Sequence, residues 1–165
     1  MKFEEAQEEF IRAWGELGSS WGVSKTMAQI HALLLSSSKP LSTEDIMNEL
    51  NISRGNANMN IRALISWGLT KKAFMPGERK EYFESDKDIW NISKQVAQER
   101  KRRELDPMRR VIDELVTVEA KTTEEKEFKM MLKELQSYTK SADRLIDKLS
   151  RSDKNWFFKL VMKLI

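Results

Sequence analysis

Asn51-Ile52-Ser53 constrains this chain more than any other stretch, because only these three residues separate two segments of helical period. Before them, Ser42-Thr43-Glu44-Asp45 has the form of a capping box, and Ile46, Met47 and Leu50 give a short helix its inner face. After them, Ser53 is a good N-cap and Gly68 a good left-handed stop. Between these two, Ala57, Ile61, Leu64 and Ile65 repeat on one apolar side. Two helices joined so tightly form a helix-turn-helix, with Ile52 filling the angle between them.

Past Gly68 the period changes. Residues 69–75 and 80–84 read as two short strands, and Pro76-Gly77 between them has type II turn chemistry. A helix-turn-helix followed by a basic two-stranded hairpin is a winged helix. The fold class expected is therefore mainly α, a winged helix-turn-helix with a two-stranded wing and further helices at both ends.

The second helix of the pair has an outer side centred on Gly55, Met59, Arg62 and Ser66, flanked by Asn56 and Asn58. It carries amides, an arginine and a glycine, but no acid. That composition suits the DNA major groove: Asn pairs with adenine, Arg with guanine or phosphate, and an apolar side chain presses on a thymine methyl. Glycine lets the backbone come close to the sugar-phosphate chain. On or near the wing, Lys72, Arg79 and Lys80 are within reach of phosphates or a minor groove. The net charge is only +3, but from Ser53 to Lys80 six cations face Glu78 alone, so that segment is +5 and the remainder −2. Positive charge gathered around one reading helix is the footprint of a nucleic-acid binder. The plain alternative for each of these residues is a solvated surface.

The flanking segments are helical. Residues 2–18 form an amphipathic helix, with Phe3, Ala6, Phe10, Ala13, Trp14 and Leu17 on one side and Gly15 and Gly18 weakening its end. A second helix covers Ser24 to Ser37 with Met27, Ile30 and Leu34 inward. It carries His31, the single histidine, which reads as structural. Lys39-Pro40-Leu41 leaves room for a strand of one or two residues. Asp86 and Asp88 introduce another helix, with Ile89, Ile92 and Val96 inward, that breaks near Asp106-Pro107. The basic run Arg100-Lys101-Arg102-Arg103, with Arg109 and Arg110, reads either as a phosphate contact or as a solvated face.

Val111, Ile112, Leu115 and Val116 make a short amphipathic helix. Phe128, Leu132, Leu135, Thr139, Ala142, Ile146 and Leu149 then form a heptad seam, widened by Met131, Tyr138 and Leu145. The segment Asn155–Ile165 places Trp156, Phe157, Leu160, Val161 and Leu164 on one side. So much apolar surface calls for a partner, and a homodimer covers it through Phe128, Leu132, Leu135, Ala142, Ile146, Leu149, Trp156, Phe157 and Leu160. The domain division expected is 1–21 and 87–165 for dimerisation, with 22–86 binding DNA. A weaker alternative attaches the tail to a membrane.

Enzyme classes are disfavoured: there is no cysteine, one histidine, no glycine-rich phosphate loop and no close acid pair in a pKa-shifting setting. No cofactor or metal is implied. The absence of cysteine fits a reducing cytoplasm, the first residues lack a signal-peptide pattern, and no run approaches the roughly 20 apolar residues that span a bilayer.

Several strings resemble the GbsR-like branch of the MarR superfamily of bacterial transcriptional regulators. They are the stretches beginning at Trp14, Met27 and Ser42, then Ser53-Arg-Gly-Asn-Ala-Asn-Met-Asn and Pro76-Gly-Glu-Arg-Lys. The resemblance covers about residues 10 to 110. It implies a homodimer on a pseudo-palindromic operator, repression as the commoner mode, and contacts from the stretch Ser53, Arg54, Gly55, Asn56, Asn58, Met59 and Arg62. It also implies wing contacts near Arg79, where Glu78-Arg79 approximates the superfamily's acid-x-arginine motif. An effector of unknown identity is compatible with it; Trp14, Trp21, Trp67 and Trp90 offer aromatic faces but read as core. The other function left open is a winged helix serving as a protein-interaction scaffold.

Overall fold

The computed structural model describes residues 1–20 and 22–153. Trp21 and the tail segment Asn155–Ile165, with Trp156, Phe157 and Leu160 of the expected dimer contacts, lie outside the described residues. The chain forms two compact units, Met1–Ile92 and a second beginning at Ser93. The division falls inside a helix.

In the first unit, α1 (Phe3–Ser20) packs on α2 (Lys25–Ser36). Helix α1 runs through Gly15 and Gly18 on to Ser20. They are the residues that let α2 approach: a Cβ on Gly15 would lie 2.7 Å from Gln29 Cγ, and one on Gly18 2.5 Å from Ala28 Cβ. A helical glycine costs about 1 kcal/mol against alanine, and here the close crossing offsets it. Helix α2 is capped by Ser24, whose Oγ accepts from the Met27 amide. It is buried nearly all round, at Met27, Ala28, Ile30, His31, Ala32, Leu33 and Leu34, so it is the central helix of the unit.

Strand β1 (Leu41–Ser42) leads into α3 (Thr43–Leu50). The capping box forms as expected: the Asp45 amide donates to Ser42 Oγ at 3.2 Å and the Ser42 amide to Asp45 Oδ2 at 2.8 Å. Asn51 ends α3 in the left-handed region (φ 49°), and the Ile52 amide returns to the Met47 carbonyl at 3.1 Å. Three residues thus suffice to turn the chain into α4 (Arg54–Ser66). Helix α4 stops at Gly68 (φ 71°), with the Leu69 amide bonded to the Leu64 carbonyl and the Gly68 amide to the Ile65 carbonyl. This paired closure with a left-handed glycine is a Schellman motif.

Strands β2 (Thr70–Ala73) and β3 (Tyr82–Ser85) form an antiparallel hairpin, and β1 adds to β3 to give the sheet order β1-β3-β2. The register pairs Thr70 with Ser85, Lys72 with Phe83 and Leu41 with Phe83. The ladder is shorter than sequence suggests, since residues 74 to 81 lie beyond it. The Pro76-Gly77 turn has type II form, with Gly77 at φ 83° and the Glu78 amide bonded to the Met75 carbonyl at 3.2 Å.

Ile30, Ile46, Ile61 and Leu64 are the largest fully buried side chains. One expected core residue moves out: Ile65 is 36% exposed, and Asn60 takes an inner position instead. Its amide is satisfied locally, Nδ2 donating to the Asn56 carbonyl and to Asn56 Oδ1 at 2.9 and 2.7 Å, so burial leaves no unpaired donor there.

Helix α5 (Ile89–Arg100) starts at Asp88, whose carboxylate accepts from the Trp90 and Asn91 amides. Ile92 is buried, but Ile89, expected inward, is 60% exposed. The expected break at Asp106-Pro107 does not occur. A π-helical turn (Lys101–Leu105) joins α5 to α6 (Asp106–Leu115), with the Asp106 amide reaching back to the Lys101 carbonyl. Proline cannot donate and its ring collides with the carbonyl four residues earlier; widening the preceding turn relieves that collision.

Helix α7 (Thr123–Arg151) opens with a second capping box, Thr122 with Glu125, and packs on α6 and the π-helical turn. Its burial falls on Leu132 and Thr139, while Leu135, Ala142, Ile146 and Leu149 are half-buried and Phe128 is 49% exposed. Part of the seam, Leu132 above all, is therefore used within the protomer. The apolar surface left open is the stripe one residue earlier, Met131, Tyr138 and Leu145 at a spacing of seven, together with Met108, Val111 and Leu115 of α6.

Most of the basic run is paired inside the second unit, where five of its six cations meet four acids. Lys101 Nζ lies 2.8 Å from Asp143 and 2.6 Å from Asp147, and Arg109 is 2.5 Å from Asp143. Arg102 and Arg103 share the buried Glu99, and Arg100 pairs with Glu104. No described helix is long and apolar enough to cross a membrane.

Candidate nucleic-acid interface

Helix α4 turns Ala57, Asn60, Ile61 and Leu64 inward, and this fixes by rotation what faces out. Gly55, Met59, Arg62 and Ser66 are all exposed, Met59 at 64%. Asn56 and Asn58 sit at the half-buried margins. Ser53 Oγ is occupied as the N-cap acceptor for the Asn56 amide at 3.3 Å. Asn56 Oδ1 accepts from Asn60, so Asn56 presents its amide nitrogen outward more readily than its oxygen. Asn58 Oδ1 lies 3.5 Å from Thr43 Oγ1, at the limit of a hydrogen bond, and its amide keeps most of its capacity.

The cations of the expected interface fall into two groups. Arg62 and Arg79 are exposed and make no ion pair among the described residues. The others are held by acids. Arg54 Nη2 is 3.2 Å from Glu44 Oε1, Lys80 Nζ closes on Glu44 Oε2, Lys72 on Glu81, and Lys71 is 3.2 Å from Glu84. Glu44, Glu81 and Glu84 lie outside the Ser53–Lys80 segment. Counting these three carboxylates brings its +5 down to +2. The positive character of the surface is thus concentrated at Arg62 and Arg79.

Glu44 is the residue the sequence pattern does not reveal. It stands on the first turn of α3 and joins the first residue of α4 to the hairpin. The Lys80 ammonium, then the Arg54 guanidinium, hold its carboxyl below the usual carboxylate range, and Glu44 in turn raises Lys80. Phe74 is a second such residue: it lies just past β2 and is 89% exposed beside the Pro76-Gly77 turn. Neither shows a signal in periodicity, since one is a helix N-terminal acid and the other continues a strand pattern.

Elsewhere, Trp14 packs with Phe10 at 5.5 Å and with His31 at 6.3 Å between ring centres. His31 is buried, and desolvation pushes its imidazole down to about 4, so it is neutral at physiological pH. Among the described residues no three His, Cys, Asp or Glu side chains converge to hold a metal ion.

No protein-family model matches the chain, and no curated protein sequence does. A solved fold does. A crystal structure of a transcriptional regulator superposes with a TM-score of 0.68, covering 88% of this chain and 97% of the other at 18% sequence identity. The chain thus has the fold of that regulator. At this identity the likeness concerns architecture, a mainly helical chain with a small three-stranded antiparallel sheet.

Proposed function

We propose that the protein is a sequence-specific DNA-binding transcriptional regulator of the GbsR-like, MarR-related type. The observation that carries this is the outer face of α4, where Gly55, Met59 and Arg62 lie exposed together with no acid on the helix. Such a face can enter a major groove, Arg62 reading guanine or phosphate, Met59 a thymine methyl and Asn58 an adenine edge. Ser53, Arg54 and Asn56 belong to the same end of the helix. The β2–β3 hairpin acts as the wing, bringing Arg79, Lys72 and Lys80 to the backbone or the minor groove. The regulator of like fold supports the same role.

The protein acts as a homodimer, a cytoplasmic repressor without enzymatic activity. The open stripes Met131, Tyr138, Leu145 and Met108, Val111, Leu115 are the surfaces a second copy covers, with the remaining seam residues at their margin. Two-fold symmetry then spaces two reading helices by about one DNA turn, roughly 34 Å, on a pseudo-palindromic operator. An effector is left unassigned.

Titration of a duplex selected in vitro from a random pool, against rising salt, tests the reading. A regulator loses affinity linearly in log salt, with a slope set by the phosphates it neutralises. A protein-interaction scaffold shows no measurable binding even at low salt, and that result would refute the proposal.

A further inference from the structure

We infer that Glu44 is an internal competitor for DNA phosphate, occupying Arg54 and Lys80 in the free protein and lowering affinity for duplex in general. The inference rests on the DNA-binding reading above. Its basis is a single carboxylate that holds two cations from different elements. Oε1 takes Arg54, the first residue of α4, and Oε2 takes Lys80, on the hairpin. A carboxylate oxygen offers these donors the same charge-assisted hydrogen bonds as a phosphate oxygen. The two therefore exclude each other at the same nitrogens.

The pairs are poorly suited to stabilising the fold. All three side chains are substantially exposed, 60% for Arg54, 56% for Lys80 and 44% for Glu44, and exposed pairs contribute little. The α3 start is already secured by Ser42 and Asp45. Glu81 lies nearby but takes Lys72 one to one; among the ion pairs of the described residues only Glu44 ties the reading helix to the hairpin. A duplex seated on α4 whose phosphate chain reaches Arg54 and Lys80 would then have to take these cations from Glu44. Because the two nitrogens bind opposite oxygens of one group, a phosphate displacing Glu44 takes over a preformed two-point clamp. The carboxylate remains ionised at neutral pH, since both partners favour the charged form, and a like charge left beside phosphate opposes binding.

Glu44→Gln removes the competing charge and keeps the shape. It should tighten binding to a random-sequence duplex about tenfold at low salt, and steepen the log affinity against log salt plot by about one, the contribution of one further neutralised phosphate. In a background of Arg54→Ala and Lys80→Ala the same change should have no effect on the slope, because the nitrogens it frees are gone. Melting of Glu44→Gln should coincide with that of the wild type. Glu44→Gln binding with unchanged slope and affinity would overturn the inference while leaving DNA binding intact. Weaker binding would overturn it too, and show that Glu44 positions the cations for DNA. If neither protein binds any duplex, the DNA-binding reading fails and this inference with it.

Discussion

Gly55 is the second residue of α4, and a Cβ built on it meets no atom within 4 Å outside the glycine's neighbours and its own helix. Nothing inside the protomer therefore requires a glycine. Its backbone is not in the left-handed region either, since the positive-φ glycines are Gly22, Gly68 and Gly77. Replacement by alanine at a compatible site stabilises by about 0.4–1 kcal/mol, chiefly by restricting the unfolded chain. For a chain of this size that raises Tm by about 1–4 °C. The proposed interface predicts the opposite sign for DNA. Gly55→Leu inserts a branched side chain where α4 approaches the sugar-phosphate chain, and should weaken the selected duplex at least about tenfold, or about 1.4 kcal/mol. Thermal melts followed by fluorescence and anisotropy titrations with a labelled duplex measure both quantities on one preparation. A folded Gly55→Leu with wild-type affinity would refute the placement of this position at the interface. A destabilised Gly55→Ala would refute the claim that the free protein has no use for the glycine.

Base reading separates from backbone contact: Asn58→Ala and Met59→Ala should cost about 1–3 kcal/mol of discrimination between selected and random duplexes. Lys72→Ala should weaken both alike and lower the salt slope by about one. The imidazole of His31 has a folded value of about 4 against 6.5 unfolded, so the unfolded chain takes the proton first. Stability is then independent of this group above pH 6.5, falls by about 1.4 kcal/mol per pH unit below it, and has lost about 3 kcal/mol by pH 4; melts of His31→Leu between pH 7 and 5 should lack that slope. In α7, Tyr138→Asp with Leu145→Asp should give folded monomers by sedimentation and lose duplex binding. Leu132→Asp, which puts a charge in a buried site, should instead unfold the second unit as followed by circular dichroism.

Local chemistry was the legible part of this fold. The Ser42–Asp45 box, the Gly68 stop and the Pro76-Gly77 turn each depend on residues within a few positions of one another, and each has the hydrogen bonds its residue types imply. Choices that depend on what a helix packs against were less legible. Ile65 and Asn60 are both compatible with the inner side of α4, and a polar residue took that place because Asn56 satisfies its amide. Gly15 and Gly18 read as weak helix formers until Gln29 and Ala28 come against them. Pro107 reads as a break because a single sequence does not announce a π-helical turn. In α7 the seam position Leu132 is buried and the widening residue Met131 is 47% exposed, but a broad apolar side cannot reveal that the seam is used within the protomer and its edge left open.

The charge of the interface shows the same limit more sharply. A window along the chain counts Arg54, Lys72 and Lys80 as available cations, because the acids that hold them lie outside it: Glu44 precedes the window and Glu81 follows it. Attraction at a distance depends on the sum of all these charges, and pairing reduces it without removing the cations from the surface. Arg62 and Arg79 therefore supply most of the initial field. On the DNA-binding reading proposed above, the paired cations contribute once phosphate replaces carboxylate at a distance of a few ångströms. On the same reading, this division predicts two steps of binding: encounter governed by Arg62 and Arg79, which are unpaired among the described residues, and seating by the proposed exchange at Glu44. Arg62→Ala or Arg79→Ala should accordingly slow association, whereas changes at Arg54 or Lys80 should act mainly on dissociation.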